Sequence, residues 1–145
     1  METYDLFRQV WAKIPEYSIG VLMTARILIV DDRDVVRSEL HHVLELSEGI
    51  IVAGEAADGL EALRQAALVK PDVVLMDLEM PGMDGFEAIH QIKAQHLARA
   101  VIVLTIYADA FNQKKAMDAG ADAFIAKGAD LGAIMELIEQ FSSRP

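Results

Sequence analysis

The sequence predicts an α/β fold in which five parallel strands form one doubly wound sheet with helices on both faces. Apolar runs typical of buried strands alternate along the chain with stretches whose apolar residues recur at helical spacing. Hydrophobic residues make up 53% of the chain and aromatic residues only 6%, as expected for a core of aliphatic parallel strands. At 145 residues, the chain is long enough for one such core and too short for two.

Four of the five predicted strands end at a polar or ionisable residue. They are Arg26–Val30 before Asp31 and Asp32, Asp72–Met76 before Asp77, Ala100–Leu104 before Thr105, and Ala121–Ala126 before Lys127. The remaining strand is Ile50–Gly54. Open α/β sheets bind ligands at the carboxyl ends of their strands. We therefore expect three carboxylates, a hydroxyl and an amine to lie at one rim.

The intervening segments predict five helices, four of them from an apolar face. These four faces are Val36, Leu40, Val43 and Leu44; Leu60, Leu63, Ala67 and Leu68; Phe86, Ile89 and Ile92; and Leu131, Ile134, Met135, Ile138 and Phe141. The fourth helix in chain order is predicted over Asp109–Ala119. The predicted helix ends are Glu48-Gly49, Lys70-Pro71 and Gly120, and Asp130 is expected to cap the last helix.

This alternation predicts a flavodoxin-like topology with strand order 2-1-3-4-5. Right-handed crossovers between parallel strands leave few competing arrangements. The switch point then lies between the first and third strands, which deliver Asp31, Asp32 and Asp77. We expect these carboxylates to be neighbours in space.

Composition and charge exclude several classes of protein. The chain has no cysteine and hence neither disulfides nor thiolate sites, which is compatible with a reducing compartment. Its net charge of -10 opposes contact with nucleic acid. No apolar run approaches the roughly 18 residues of a membrane span, and no signal peptide opens the chain. We expect a cytoplasmic domain that contacts neither nucleic acid nor membrane.

The rim residues suit phosphoryl chemistry. Adjacent carboxylates repel one another unless protons or a cation offset their charge, and a hard ion such as Mg²⁺ prefers such oxygen ligands. Lys127 could pair with a phosphoryl oxygen, and Thr105 could donate a hydrogen bond to it. These roles describe an aspartate that accepts a phosphoryl group and becomes an acyl phosphate.

These motifs resemble the receiver domains of two-component response regulators. The matching segments are Ile27–Asp32, Asp72–Gly85, Leu104-Thr105 and Phe124–Lys127, within a receiver domain expected over residues 25–142. Their order and spacing make chance agreement improbable. The resemblance implies a phosphoacceptor rather than an enzyme, which a sensor histidine kinase phosphorylates on Asp77. Phosphorylation would then change partner binding or cause the chain to form a homodimer.

The resemblance also implies the ligands of a metal ion. Asp32 and Asp77 would bind Mg²⁺, or Mn²⁺, directly, and Asp31 would act through water. The backbone carbonyl of Glu79 would complete the protein ligands.

Further residues are implied to bind the phosphoryl group or respond to it. Thr105 and Lys127 would contact its oxygens, and Thr105 and Phe124 would move in the switch. Glu79 and Tyr107 lie two residues beyond Asp77 and Thr105, where their side chains flank the path of attacking water. We expect them to tune the lifetime of the phosphoryl group.

The chain departs from the commonest receiver pattern after its lysine. Lys127 is followed by Gly128 rather than by proline, which leaves the geometry of that loop open. This ending and the segment Gly54–Gly59 resemble the subfamily joined to LuxR-type DNA-binding domains. The chain could therefore be a stand-alone receiver or the front piece of a longer regulator.

Residues 1–24 lie outside the resemblance. Leu6, Phe7, Val10, Trp11 and Ile14 recur at helical spacing and suggest a short amphipathic helix before Pro15. Such a helix could dock on the receiver or mediate dimerisation. The interpretation we favour is that the segment is a tail or an upstream reading-frame extension ahead of a receiver that starts near Met23.

Two other functions are compatible with parts of the pattern. Haloacid-dehalogenase-like phosphatases use a similar set of residues, but their nucleophile follows the first strand in an Asp-x-Asp arrangement. The hypothesis of a degenerate receiver that binds partners without phosphorylation is weakened by the complete acidic set.

Several of these residues also have ordinary structural explanations. Taken singly, the aspartates would be helix caps and Phe124 a core residue. The four histidines are expected to be surface residues.

Overall fold

Strands and helices alternate throughout residues 24–142, the part of the chain that the computed structural model describes. The strands are β1 (Ala25–Val30), β2 (Ile50–Ala56), β3 (Val73–Met76), β4 (Ala100–Thr105) and β5 (Ala123–Ala126). The helices are α1 (Asp34–Glu45), α2 (Gly59–Val69), α3 (Gly85–Ala94), α4 (Ala110–Ala119) and α5 (Leu131–Ser142). The amphipathic helix expected within residues 1–24 lies outside the described residues.

The five strands form one parallel sheet in the order β2-β1-β3-β4-β5, which confirms the predicted topology. The register aligns the ends of β1 and β3, because Val30 pairs with Met76. The backbone N–H of Asp77 donates to the carbonyl of Val30 at 2.9 Å. The aspartates that follow these two strands are therefore held at the same edge of the sheet.

Successive side chains along each strand point to opposite faces of the sheet and form two apolar layers. Leu28 and Val74 belong to the layer covered by α2, α3 and α4, whereas Ile27 and Leu75 belong to the layer covered by α1 and α5. All four residues of β3 are buried. A strand buried on both faces has little freedom to shift, and β3 therefore fixes the position of Asp77.

Aspartates begin several of the helices. Asp58, Asp84, Asp109 and Asp130 each accept a hydrogen bond from a backbone N–H two or three residues further on, at 2.7 to 2.9 Å. Such bonds satisfy N–H groups that have no partner within the helix. The contact of Asp130 confirms its predicted capping role. Helix α1 differs, because Arg33 precedes it and makes no side-chain cap.

The helix ends agree with the sequence at two positions and differ at a third. Lys70 (φ 49°) ends α2 and Gly120 (φ 113°) ends α4, both in the left-handed conformation. Helix α1 ends at Glu45, before the predicted break at Glu48-Gly49. None of the helices within residues 24–142 combines the length and apolar character needed to cross a bilayer.

The first residue of α3, Gly85, packs directly on the loop that carries Asp77. A Cβ atom at Gly85 would lie 2.8 Å from Leu78 Cα and 3.0 Å from the carbonyl oxygen of Asp77. We expect Gly85→Ala to lower the free energy of unfolding by about 1–3 kcal/mol, because backbone atoms must move to relieve the overlap. Urea unfolding measures this loss.

Gly132 in α5 provides the control for that substitution. A Cβ atom there would meet only the Asp130 side chain, at 3.4 Å or more. Gly132→Ala should be neutral or stabilise the protein by up to about 1 kcal/mol, because alanine favours helices. A Gly85→Ala protein as stable as the parent would contradict the close packing of α3 on this loop.

Candidate functional site

Asp31, Asp32 and Asp77 form an acidic cluster at the carboxyl edge of the sheet. Each offers a carboxylate oxygen, and these atoms all lie within 4.8 Å of one another. Asp31 is 2% exposed and Asp77 6% exposed, whereas Asp32 is exposed to solvent. The structure thus brings together the carboxylates that the sequence predicts at the switch point.

Lys127 is the cation of this site. Its Nζ atom lies 2.6 Å from Asp31 Oδ2 and 3.5 Å from Asp77 Oδ2. The other oxygen of Asp31, Oδ1, accepts from the backbone N–H of Arg33 at 2.9 Å. Both oxygens of Asp31 are therefore engaged, whereas Asp77 makes the longer contact with Lys127.

The environment of Asp77 opposes its ionisation. Burial raises the pKa of Asp77 above its ordinary value, and the nearby Asp31 carboxylate adds to this effect. The Lys127 ammonium and a hydrogen bond from the Glu79 backbone act in the opposite direction but do not cancel the rise in the Asp77 pKa. A cation at the acidic cluster would reduce the repulsion between the Asp31 and Asp77 carboxylates and favour the ionised form of Asp77.

The donor chemistry of the acidic cluster fits a hard divalent ion. All of its available ligands are carboxylate oxygens, which Mg²⁺ prefers over nitrogen or sulfur. When ionised, the three carboxylates carry more negative charge than the single positive charge of Lys127 offsets. The cluster can therefore accept a divalent charge without accumulating a net positive one.

Thr105 and Lys127 are placed by the ends of β4 and β5. Thr105 pairs with Ala126 in the sheet, and the backbone N–H of Lys127 donates to the carbonyl of Thr105 at 2.8 Å. Thr105 is fully buried, and its Oγ1 accepts from the backbone N–H of Tyr107 at 3.1 Å. The hydroxyl proton of Thr105 thus remains available for another acceptor at this edge.

The residues expected to move in the switch or to tune the phosphoryl lifetime occupy two different settings. Phe124 is half-buried against the layer beneath α2, α3 and α4. Tyr107 is 43% exposed, and Glu79 is also exposed. A cavity of about 300 Å³ separates the loops after β3 and β4; it is lined by Leu78, Glu79, Asp84, Phe86, Tyr107 and Asn112. Glu79 and Tyr107 therefore line one cavity, together with Leu78, the residue that follows Asp77.

The loop after Lys127, which the sequence left open, takes a form that suits glycine. Gly128 has φ of 95°, and the space around its Cα is open. Residues other than glycine rarely adopt this φ. The glycine at this position allows the chain to turn from β5 towards α5.

A network of polar contacts links the backbone of Asp31 to side chains of α1 and β2. Arg37 Nη1 donates to the main-chain carbonyl of Asp31 at 2.6 Å, and Arg37 Nε lies 3.5 Å from Glu55 Oε1. His41 Nδ1 lies 2.9 Å from Glu55 Oε2, and His41 Nε2 lies 3.3 Å from Glu45 Oε1. This network, which we term the Arg37 network, was not anticipated from the sequence.

All four histidines lie at the surface, but His41 makes contacts that the sequence did not predict. His42, His90 and His96 are exposed, and the His41 side chain is 37% exposed and contacts both Glu55 and Glu45. The spacing of Arg37, His41 and Glu45 on α1 could have indicated that they are neighbours. Their contacts with Glu55 depend on how α1 packs on β2, which the spacing alone does not specify.

The parallel sheet and the rim that carries Asp31, Asp32, Asp77, Thr105 and Lys127 form the arrangement expected of a receiver domain. Residues 27–139 match the family model of the response regulator receiver domain. The chain belongs to this family, whose members act in two-component systems. The predicted family and fold are therefore confirmed.

Two curated relatives illustrate the match in sequence. Response regulator GacA of Pseudomonas viridiflava is 37% identical over 113 residues, which cover 78% of this chain and 53% of GacA. Transcriptional regulatory protein PdtaR of Mycobacterium tuberculosis is 38% identical over 130 residues, which cover 90% of this chain and 62% of PdtaR. The chain thus spans less than two thirds of the length of these relatives.

Two solved structures show the same fold. The response regulator domain of Thermotoga maritima CheB matches with a TM-score of 0.74 and 30% identity, covering 84% of this chain and 98% of that one. A LuxR-family two-component response regulator from Aurantimonas sp. SI85-9A1 matches with a TM-score of 0.76 and 34% identity, covering 83% and 86% of the two chains.

The protonation of His41 should affect stability in a defined direction. Its hydrogen bond with Glu55, assisted by Glu45, raises the pKa of His41 above its ordinary value despite some burial. The charged histidine therefore stabilises the fold below about pH 6.5, and this contribution is lost as the pH rises through the folded-state pKa. His41→Gln should lower the free energy of unfolding more at about pH 5.5 than at about pH 8.5.

Urea unfolding at the two pH values measures this difference. His42→Gln is the matched control, because His42 is an exposed neighbour on the same helix. Its effect should be small at both pH values. An equal loss of stability at both pH values for His41→Gln would contradict a charged pair with Glu55.

Proposed function

We propose that this receiver accepts a phosphoryl group on Asp77 from a sensor histidine kinase. The position of Asp77 carries the proposal. It is a nearly buried carboxylate that follows the central strand β3, with Asp31 and Asp32 after β1 on one side and Thr105 after β4 on the other. Lys127 reaches across this edge to within 3.5 Å of the Asp77 carboxylate.

The proposed transfer uses the carboxylate of Asp77 as the nucleophile. One Asp77 oxygen forms a bond to phosphorus as the bond between phosphorus and the kinase histidine nitrogen breaks. The bonding electron pair returns to the imidazole, and the product on Asp77 is an acyl phosphate. This chemistry modifies the protein once per transfer, and we assign the chain no turnover beyond slow self-catalysed phosphorylation and dephosphorylation.

Asp31, Asp32 and Asp77 would hold Mg²⁺, or Mn²⁺, with the Glu79 backbone carbonyl as a further ligand. The bound ion supplies positive charge that offsets the phosphoryl oxygens. Lys127 supplies a second positive charge, and the phosphoryl oxygens would compete with Asp31 for it. This competition would change the contacts at the ends of β1, β3 and β5.

Phosphorylation would favour one of two pre-existing arrangements of the region around β4 and β5. The phosphoryl group adds charge and acceptor oxygens, for which the Thr105 hydroxyl is a suitable donor, and Phe124 would follow this movement. Helix α4 buries only Ala116 fully, so that its displacement disrupts little packing. The response would be altered binding to a partner or output domain, or self-association.

Glu79 and Tyr107 are proposed to set the lifetime of the acyl phosphate. They line the same cavity from the loops after β3 and β4. Water that hydrolyses the acyl phosphate must approach phosphorus past this space. The side chains at these positions therefore control access and local charge.

Asp77→Asn should abolish labelling by acetyl phosphate in the presence of Mg²⁺, because the amide is a poor nucleophile. Intact-protein mass spectrometry should show one added phosphoryl group on the parent and none on the variant. Asp118→Asn is the matched control, because Asp118 is exposed on α4 and its carboxylate pairs with Lys114 of the same helix.

Persistent labelling of the Asp77→Asn protein would place the acceptor elsewhere. Sustained hydrolysis of p-nitrophenyl phosphate by the parent would instead indicate a phosphatase. Stoichiometric labelling without such turnover is the outcome expected of a receiver.

Thr105→Ala should preserve phosphorylation of Asp77 but weaken the response to it, because the alanine cannot donate a hydrogen bond to the phosphoryl group. The measurement is the change in backbone amide chemical shifts of α4 and β5 on phosphorylation. We expect smaller shifts in Thr105→Ala than in the parent, whereas Thr105→Ser should retain them. Unchanged shifts in Thr105→Ala would count against a switching role for this hydroxyl.

A further inference from the structure

Helix α1 begins without the aspartate cap that starts other helices of this domain. Arg33 precedes α1 and makes no side-chain cap, and the carboxylate of Asp31 is committed to Lys127 and to the backbone of Arg33. The loop between β1 and α1 therefore depends on contacts from another side chain. Arg37, one turn into the helix, is the side chain that reaches back to it.

The guanidinium of Arg37 joins three structural elements. It donates to the main-chain carbonyl of Asp31 at 2.6 Å, pairs with Asp34 in the first turn of α1, and lies 3.5 Å from Glu55 on β2. The Arg37 side chain is only 15% exposed. The planar guanidinium presents several donors in fixed directions, which a lysine ammonium cannot reproduce.

These contacts fix the backbone on which the Asp31 carboxylate depends. The N–H of Asp31 donates to the carbonyl of Ala56 at 3.0 Å, so that β2 holds one side of this peptide. Arg37 holds the carbonyl on the other side of the same residue. With both main-chain groups bonded, Asp31 has little freedom to rotate away from the acidic cluster.

We propose that Arg37 is a positioning residue for the divalent-cation site and that it acts by holding Asp31 in place. Glu55 supports this role by anchoring the guanidinium to β2. The inference rests on the proposed function, since it requires the acidic cluster to bind a divalent cation. It extends the functional site beyond the residues that touch the ion or the phosphoryl group.

A charge effect and a positioning effect of Arg37 predict opposite changes in Mg²⁺ affinity when Arg37 is replaced. A positive guanidinium near the acidic cluster repels a divalent cation, and its removal would by charge alone tighten Mg²⁺ binding. Loss of positioning weakens binding instead. The sign of the change in Mg²⁺ affinity therefore distinguishes the two roles. A contribution of Arg37 to folding alone would leave the Mg²⁺ affinity of the folded protein unchanged.

The test is isothermal titration of the unphosphorylated full chain with Mg²⁺. Arg37→Gln and Arg37→Lys should each weaken binding by about 10-fold or more, the size of effect found when groups that orient metal ligands are removed. Arg64→Gln is the matched control, because Arg64 is exposed on α2. It should bind Mg²⁺ as the parent does.

The outcomes separate this inference from the proposed function. Mg²⁺ binding by Arg37→Gln that equals or exceeds that of the parent would overturn the positioning role and leave the proposed function intact. Absence of Mg²⁺ binding by the parent would overturn both. Thermal unfolding of each variant confirms that the titrated protein is folded.

A second variant keeps the inference testable if the Arg37 substitutions prevent folding. Glu55→Gln leaves the bond from Arg37 to Asp31 but removes the charged anchor on β2, and it should by itself weaken Mg²⁺ binding relative to the parent. Unchanged Mg²⁺ binding by a folded Glu55→Gln protein would overturn the proposal. Where Arg37→Gln folds, adding Glu55→Gln to it should cause no further loss. An equal loss from Glu55→Gln with and without Arg37 would show a general charge effect and overturn the proposal.

Discussion

Electrostatic repulsion within the acidic cluster is the constraint on which the rest of the site depends. Asp31, Asp32 and Asp77 are brought to one edge of the sheet, and two of them are almost completely buried. Lys127 offsets part of their charge and contacts two of them. The remaining excess of negative charge provides the driving force for binding a cation, and burial keeps that force from being screened by water.

The fold holds this repulsive arrangement in place through buried and closely packed parts of the sheet and its loops. Strand β3 is buried along its length, and its register with β1 sets the two acidic loops side by side. The loop carrying Asp77 also packs closely on Gly85. In contrast, α4 and the loop before it bury little and expose Ile106 and Phe111. A rigid acidic edge beside a weakly packed helix is an arrangement in which a local change of charge can alter a distant surface.

The sequence was sufficient for the features that depend on local pattern. Apolar runs that end at Asp31, Asp77, Thr105 and Lys127 predicted both the sheet and the composition of its rim, because strand direction fixes where those residues must lie. The Arg37 network was missed for a physical reason. The contacts of Arg37 and His41 with Glu55 require the packing of α1 on β2, and no periodicity in the sequence specifies that packing. The end of α1 at Glu45 was likewise set by local backbone bonds rather than by the glycine further on.

A crystal structure of the chain with Mg²⁺ and beryllofluoride, an analogue of the phosphoryl group, would show directly whether Asp77 is the phosphoryl acceptor and the acidic cluster the metal site. We expect beryllium bonded to an Asp77 oxygen, Mg²⁺ among the carboxylates of the acidic cluster, and fluorine atoms in contact with Lys127 and Thr105. Beryllofluoride bound at another residue, or Mg²⁺ bound away from the acidic cluster, would contradict these assignments.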